Sequence, residues 1–264
     1  MRRHAGARTQ ARAPVIHAGG ATLDLVSLSF AAAVGAAVVA GAVRGFSGFG
    51  SALVLSPSLA ALYGARVAVP VALLLELALS GPFVPPALRL IDRRRTALLC
   101  VAAAAMVPVG AYVLTVVDGR TLRWVICTLV FVAVAIIGFG WRYHGRPHGA
   151  ATAATGALSG LLGGATGLTG PPVIFYELAG SAPIERMRAS FIVFFAWVDV
   201  VALVSFALTG TLGGRPLLIS AALVLPYLAA AGVGARLFGR ASETFYRRLA
   251  LAILAGVAIV SLPL

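Results

Sequence analysis

Arg44 stands directly before Gly45-Phe-Ser-Gly-Phe-Gly50 in a stretch that is otherwise apolar. A guanidinium beside backbone amides freed by a glycine break, with the Ser47 hydroxyl next to it, suits a small oxyanion, because all three supply donors to negative oxygen. The plainer role for Arg44 is to reach a polar interface from the end of an apolar helix. A second glycine stretch, Ser159–Gly180, carries the hydroxyls of Thr166 and Thr169, and its Pro171-Pro172 pair frees carbonyls and forbids a continuous helix. Two carboxyl groups, Glu76 and Asp199, lie in the middle of apolar runs. An ionisable group in such a run is costly and is a functional candidate by default. Either one could take up and release a proton, and either could equally be the structural partner of a buried arginine. Glu177, just after the second glycine stretch, is a weaker candidate of the same kind.

The elements that must position these groups are two matching breaks. Residues 40–64 hold five glycines, a proline, four serines and one arginine. A soluble helix tolerates that density poorly, since each interior glycine costs about 1 kcal/mol against alanine. Gly41, Gly45 and Gly48 match Gly160, Gly164 and Gly167 at one constant offset of 119 residues. Two halves that break at the same place are the sequence sign of a duplicated protein built on discontinuous membrane helices. The candidate binding residues are therefore Arg44, Gly45, Ser47 and Gly48 from the first break and Gly164, Thr166, Gly167 and Thr169 from the second. Close helix packing through Gly41-x-x-x-Gly45 and Gly160-x-x-x-Gly164 is the plainer reading of the same glycines, and the two are not exclusive.

The chain has 264 residues, of which 60% are hydrophobic and only 11% charged, with a mean hydropathy of +0.99. Soluble domains carry roughly 25% charged residues, and apolar runs of about 20 residues recur here from end to end. An all-α polytopic membrane protein follows, with two repeats of about four transmembrane helices, each holding a glycine-rich broken or re-entrant segment, for 8–10 membrane segments in all. Residues 1–20 read as a disordered basic tail, 21–140 as the first repeat, 141–149 as a basic loop and 150–264 as the second repeat. The run Leu23–Val43 is too long for a signal core and is expected to stay as the first span. Further spans are expected near 67–88, 96–117, 121–140, 150–168, 188–209, 216–235 and 249–263.

Topology turns on whether the chain crosses again between the first glycine motif and Arg66. If it only dips and returns, the halves are parallel and the arginines divide 11 to 10. If it crosses, the halves are inverted and the division is 13 to 8. The positive-inside rule therefore leans toward inverted repeats with the Arg89–Arg95 loop in the cytoplasm.

The net charge is +13 and every basic residue is arginine. These arginines sit between apolar runs rather than on one soluble face, which reads as topology determinants and not as nucleic-acid binding. Enzyme readings fail on their missing parts. Gly45-Phe-Ser-Gly48 fits a serine-protease pattern, but no span holds a histidine base. A dinucleotide fingerprint needs a strand before its glycines. Cys100 and Cys127 have no metal-ligand spacing and read as small packing residues. His144 and His148 are separated by Gly145 and Pro147, which oppose a shared helix face. No catalytic residue, cofactor or metal is expected.

The segments VAGAVRGFSGFGSALVLSPSLAALYGAR and GALSGLLGGATGLTGPPVIFYELAG, with the duplicated plan, resemble the sulfite exporter TauE/SafE family of small bacterial anion permeases, over about residues 22–264. Phe46, Phe49 and Ser51 stand where the family's first motif is commonly richer in glycine. The resemblance implies a bacterial inner-membrane transporter of sulfite, an organosulfonate or a related sulfur or carboxylate anion. Alternating access with Glu76 or Asp199 as the proton-coupling carboxyl is the mechanism expected. The partners expected are the small anion and the lipid bilayer, with no nucleic acid; a homo-oligomer stays open. The rival readings are a passive anion channel and a non-transporting membrane scaffold.

Overall fold

The computed structural model describes residues 15–18, 21–24, 27–47, 50–139, 149–178 and 183–237, with Gly256 and Ile259. The expected loop at 141–148, nearly all of the expected span at 249–263, and Gly48 lie outside the described residues, as do residues 1–14 of the expected tail. Among the described residues, ten α-helices follow a two-stranded antiparallel hairpin in which Val15–Ala18 pairs with Ala21–Asp24. This hairpin takes up the last part of the stretch expected as tail and the start of the expected first span, which begins as a helix only at Leu28.

The helices are α1 (Leu28–Ser47), α2 (Ser51–Tyr63), α3 (Ala65–Ser80), α4 (Val84–Ala87), α5 (Arg93–Val116), α6 (Gly119–Phe139), α7 (Gly149–Thr166), α8 (Gly170–Leu178), α9 (Ile184–Leu208) and α10 (Gly214–Leu237). A single 3-10 turn, Gly81–Phe83, joins α3 to α4. Among the described residues, six stretches, drawn from α1, α3–α4, α5, α6, α9 and α10, are long and apolar enough to cross a membrane, while α2 is a shorter apolar helix. Buried charges and prolines do not prevent these helices, because in an apolar medium every backbone group must be satisfied within its own segment. Local capping sets their ends. Asp92 accepts from the Arg95 N–H at 3.2 Å to open α5. At the turn into α6, hydrogen bonds from the Thr121 side chain and then its backbone hold the Asp118 carboxyl below the usual carboxylate range.

Side-chain contacts fix which way each helix runs. The Tyr63 hydroxyl, at the end of α2, donates to the Ser29 carbonyl at the start of α1 at 3.4 Å. So α1 and α2 form a hairpin whose open end is marked by Tyr63. Arg66, opening α3, donates to the carbonyls of Leu114, Thr115 and Val117 where α5 finishes. Arg215, opening α10, lies over the Tyr63 ring at 5.9 Å. All these termini share one end of the bundle. At the other end, Arg95 of α5 reaches Glu177 of α8 at 3.3 Å and lies 4.7 Å over the Tyr176 ring. Tyr176 in turn hydrogen-bonds Thr152 near the start of α7. Thus α7 and α8 form a second hairpin, entering from the opposite end to the first.

The most extensive helix packing is α5 on α7 and α1 on α10, and both contacts are glycine seams. A Cβ on Gly41 or Gly45 would lie 2.3 Å or 1.9 Å from the carbonyl oxygens of Tyr227 or Ala231. A Cβ on Gly160 or Gly164 would lie 2.4 Å from that of Ala103 or Val107. The partners in α10 and α5 are related by a constant 124 residues, just as the glycines are related by 119. Gly234 against Ala42 and Gly110 against Leu161 obey the same two offsets. In both seams residue numbers rise together, so each pair is parallel. One half therefore runs in the opposite sense to the other, the geometry expected of inverted repeats.

Candidate functional site

Both hairpins turn at a glycine held at positive φ, Gly50 (93°) and Gly167 (74°), a backbone region that only glycine enters without strain. The two tips meet. The Ser56 hydroxyl of α2 donates to the Thr166 carbonyl at the end of α7, and Gly50, Gly167 and Thr169 line one cavity with Arg44, Glu76 and Phe195. The cavity holds about 30 Å³, room for about two water molecules. A large organic anion would require its walls to part. The first turns of α2 and α8 border it through Gly50, Ala52 and Leu53 on one side and Gly170 and Pro171 on the other. The positive ends of two helix dipoles therefore converge on it. The α2 end has the fuller set of free amides, since Pro171 and Pro172 remove two donors from α8.

Arg44 is buried at 6% exposure. The Gly41–Gly45 face of α1 lies against α10, and the Arg44 side chain meets α3 and α9. It donates to the Ser80 hydroxyl at 2.7 Å and stands 5.8 Å over the Phe195 ring. Ser51, opening α2, donates to the Glu76 carboxylate. Asp199, on α9 one turn beyond Phe195, is 1% exposed and its Oδ2 has no hydrogen-bond partner. Asp199 is near enough to feel the charges of both Glu76 and Arg44. Yet among the described residues the ion pair within 4 Å is Arg95–Glu177, and neither Glu76 nor Asp199 approaches the Arg44 guanidinium that closely. A buried cation without a carboxylate in contact is costly unless another anion supplies the missing charge.

The expected site residues divide into three groups. Arg44, Gly167, Thr169 and Glu76 line the cavity, with Asp199 beside them. The Thr169 hydroxyl is buried without a partner, folded so closely over α7 that a Cβ on Gly163 would lie 2.5 Å from it. Gly45, Gly164 and Thr166 face elsewhere. The two glycines are in the seams, and the Thr166 hydroxyl is used within its own turn, donating to the Leu162 carbonyl at 2.7 Å and accepting from the Leu168 N–H at 3.3 Å. Ser47 closes α1 with its side chain outside the described residues, and Gly48 lies outside them altogether. The site also includes Ser51, Ser80, Phe195 and Tyr227, which sequence reasoning did not single out. For Ser51 a signal was available, a serine opening a helix directly after a glycine break. Glu177 lies at the root of the second hairpin, paired with Arg95.

Two opposed broken-helix hairpins that close on a charged cavity, inside a bundle of membrane-crossing helices, define a multi-pass membrane transporter. The family model for the sulfite exporter TauE/SafE matches residues 33–261, nearly the whole chain, and the protein belongs to that family. Membership implies a transporter of small anions, sulfite among them, rather than an enzyme. No curated protein and no solved structure matches the chain.

Proposed function

We propose that the protein carries sulfite, an organosulfonate or a related sulfur or carboxylate anion across the bacterial inner membrane by proton-coupled alternating access. The observation that carries this reading is Arg44, a buried guanidinium at the meeting of two helix breaks with no carboxylate of the described residues within 4 Å. A small oxyanion there would accept from the guanidinium, from the Thr169 hydroxyl and from amides at the start of α2. Glu76 and Asp199 supply the coupling. With both ionised, they outweigh Arg44 and repel an incoming anion; with a proton on either, the site accepts one. The repeats 21–140 and 150–264 are the bodies that move, with the Arg89–Arg95 loop on the cytoplasmic side.

The test is uptake of labelled sulfite into proteoliposomes under an imposed pH gradient, with sulfonates and small carboxylates as competitors. Saturable, gradient-driven and competable flux is expected. Arg44→Ala should weaken sulfite binding roughly a hundredfold while the protein stays folded in the membrane. Unaltered binding in that variant would remove Arg44 from the site. Flux that no gradient drives uphill would instead indicate a passive channel.

A further inference from the structure

The cavity where the hairpins meet has two unlike sides. Arg44, Glu76 and Thr169 supply its polar groups, while Ile174 of α8 and Phe195 of α9 stand among its apolar ones. The charged head of an anion belongs with the polar side. The apolar side therefore decides what else the anion can carry.

Phe195 touches both hairpins. Arg44 of α1 lies over its ring, 5.8 Å from the centre, and its Cζ would be 3.8 Å from a Cβ on Gly170, which opens α8. Neighbours on its own helix steady the ring. Phe191, one turn earlier, stacks on it at 5.8 Å with the planes 10° apart, and Phe194 leans on it at 6.0 Å. Phe195 and Ile174 are both buried, and close packing of this kind leaves a side chain little space to swing aside. They form a firm wall.

Gly170 shows how much room that wall leaves. Its φ lies outside the left-handed region, and no backbone crowds it. A Cβ there would meet only the ends of two side chains, Ile174 Cδ1 at 3.2 Å and Phe195 Cζ at 3.8 Å. The seam glycines differ, since their Cβ atoms would strike facing carbonyls. Neither backbone conformation nor helix packing therefore demands glycine at 170. What the missing side chain leaves is a gap about one methyl group wide, bounded by Ile174 and Phe195.

We propose that Phe195 and Ile174 determine specificity by limiting the length of the anion: sulfite and methanesulfonate are admitted, and longer tails meet the wall. This inference narrows the substrate class of the anion reading given above and rests on it. The test is displacement of labelled sulfite from the full-length protein in lipid by unbranched alkanesulfonates of increasing chain length. In the native protein displacement should weaken steeply beyond methanesulfonate. Ile174→Ala opens the wall and is expected to raise the affinity for propanesulfonate, relative to sulfite, about tenfold. Phe195→Leu should move the order the same way, while weakening every anion because Arg44 loses its ring. Gly170→Ala fills the gap and should lower methanesulfonate, relative to sulfite, about tenfold. A native protein that takes butanesulfonate as readily as methanesulfonate overturns the inference, as does an order of preference unchanged in Ile174→Ala and Gly170→Ala. If Ile174→Ala does not fold, Gly170→Ala decides, since its side chain is accommodated without moving backbone. Sulfite that fails to bind the native protein overturns the anion reading and this inference with it, whereas sulfite binding with an unmoved order overturns this inference alone.

Discussion

The two hairpins share a backbone and divide the chemistry. In α1–α2 the charge sits at the tip, where Arg44 and Ser51 engage Ser80 and Glu76. Its root is loosely tied, by a 3.4 Å hydrogen bond from an exposed position and an arginine 5.9 Å over Tyr63. In α7–α8 the tip has hydroxyls and prolines but no charge. Its root is fastened by Arg95–Glu177 at 3.3 Å, the Arg95–Tyr176 stack at 4.7 Å and the Tyr176–Thr152 hydrogen bond. The two arms share a fold, but one is tied chiefly at its tip and the other at its root. An arginine lies over a tyrosine at both roots, and among the described residues only the second also has a carboxylate.

The largest expected contrast is at the tips. Arg44→Ala should cost roughly a hundredfold in sulfite affinity, whereas Thr169→Val, which removes one neutral donor, should cost only about three- to tenfold. Binding titrations that put the two on a par would erase the division between a charged tip and a supporting one. Next come the seams, where the halves are expected to behave alike. Gly45→Ala and Gly164→Ala each drive a methyl into a facing carbonyl and should destabilise the protein by about 1–3 kcal/mol, Gly45→Ala the more because its clash is closer. Thermal unfolding in detergent reads this directly, and a large loss in one with none in the other would break the equivalence. The smallest effects are at the roots. Glu177→Gln should cost about 1–2 kcal/mol, since Glu177 is buried while Arg95 is 22% exposed. Tyr63→Phe should cost under about 0.5 kcal/mol, its hydrogen bond being long and exposed. Equal costs would mean that the roots are not differently fastened.

Helix positions were legible to within a few residues because hydropathy and the Gly, Pro and Asp punctuation act locally. Runs expected at 96–117, 121–140 and 216–235 became Arg93–Val116, Gly119–Phe139 and Gly214–Leu237. The span expected from 188 begins instead at Ile184, so that Glu185–Arg188 form the first turn of α9; these charges sit at the helix end, where burial does not forbid them. The hairpin at Val15–Asp24 was hidden by the basic composition before it, although Gly19-Gly20 between two short apolar runs is a turn signal. Within the site, Arg44, Glu76 and Asp199 could be found because a charge in an apolar run stands out alone. Ser80 and Tyr227 could not, since nothing near Ser80 in the chain announces an arginine 36 residues earlier. Gly45 and Gly164, expected at the binding site, lie against facing helix backbones, and the sequence could not separate the two roles for a related reason. The same small residue serves close approach to a helix or to a substrate, and only the facing backbone decides which.

The crossed seams also bear on how the chain is assembled. The α5–α7 contact encloses only α6 and the few residues on either side of it in the chain, and its two members leave the ribosome close together. The α1–α10 contact brackets almost everything else, so α1 must wait in lipid, its glycine face unmated, until α10 has been threaded into the bilayer. Biogenesis then proceeds from the inside outward, and the last clasp to close is the one that aligns Arg44 with Tyr227. A chain truncated before α10 would hold most of its helices and still leave the glycine face of α1 uncovered.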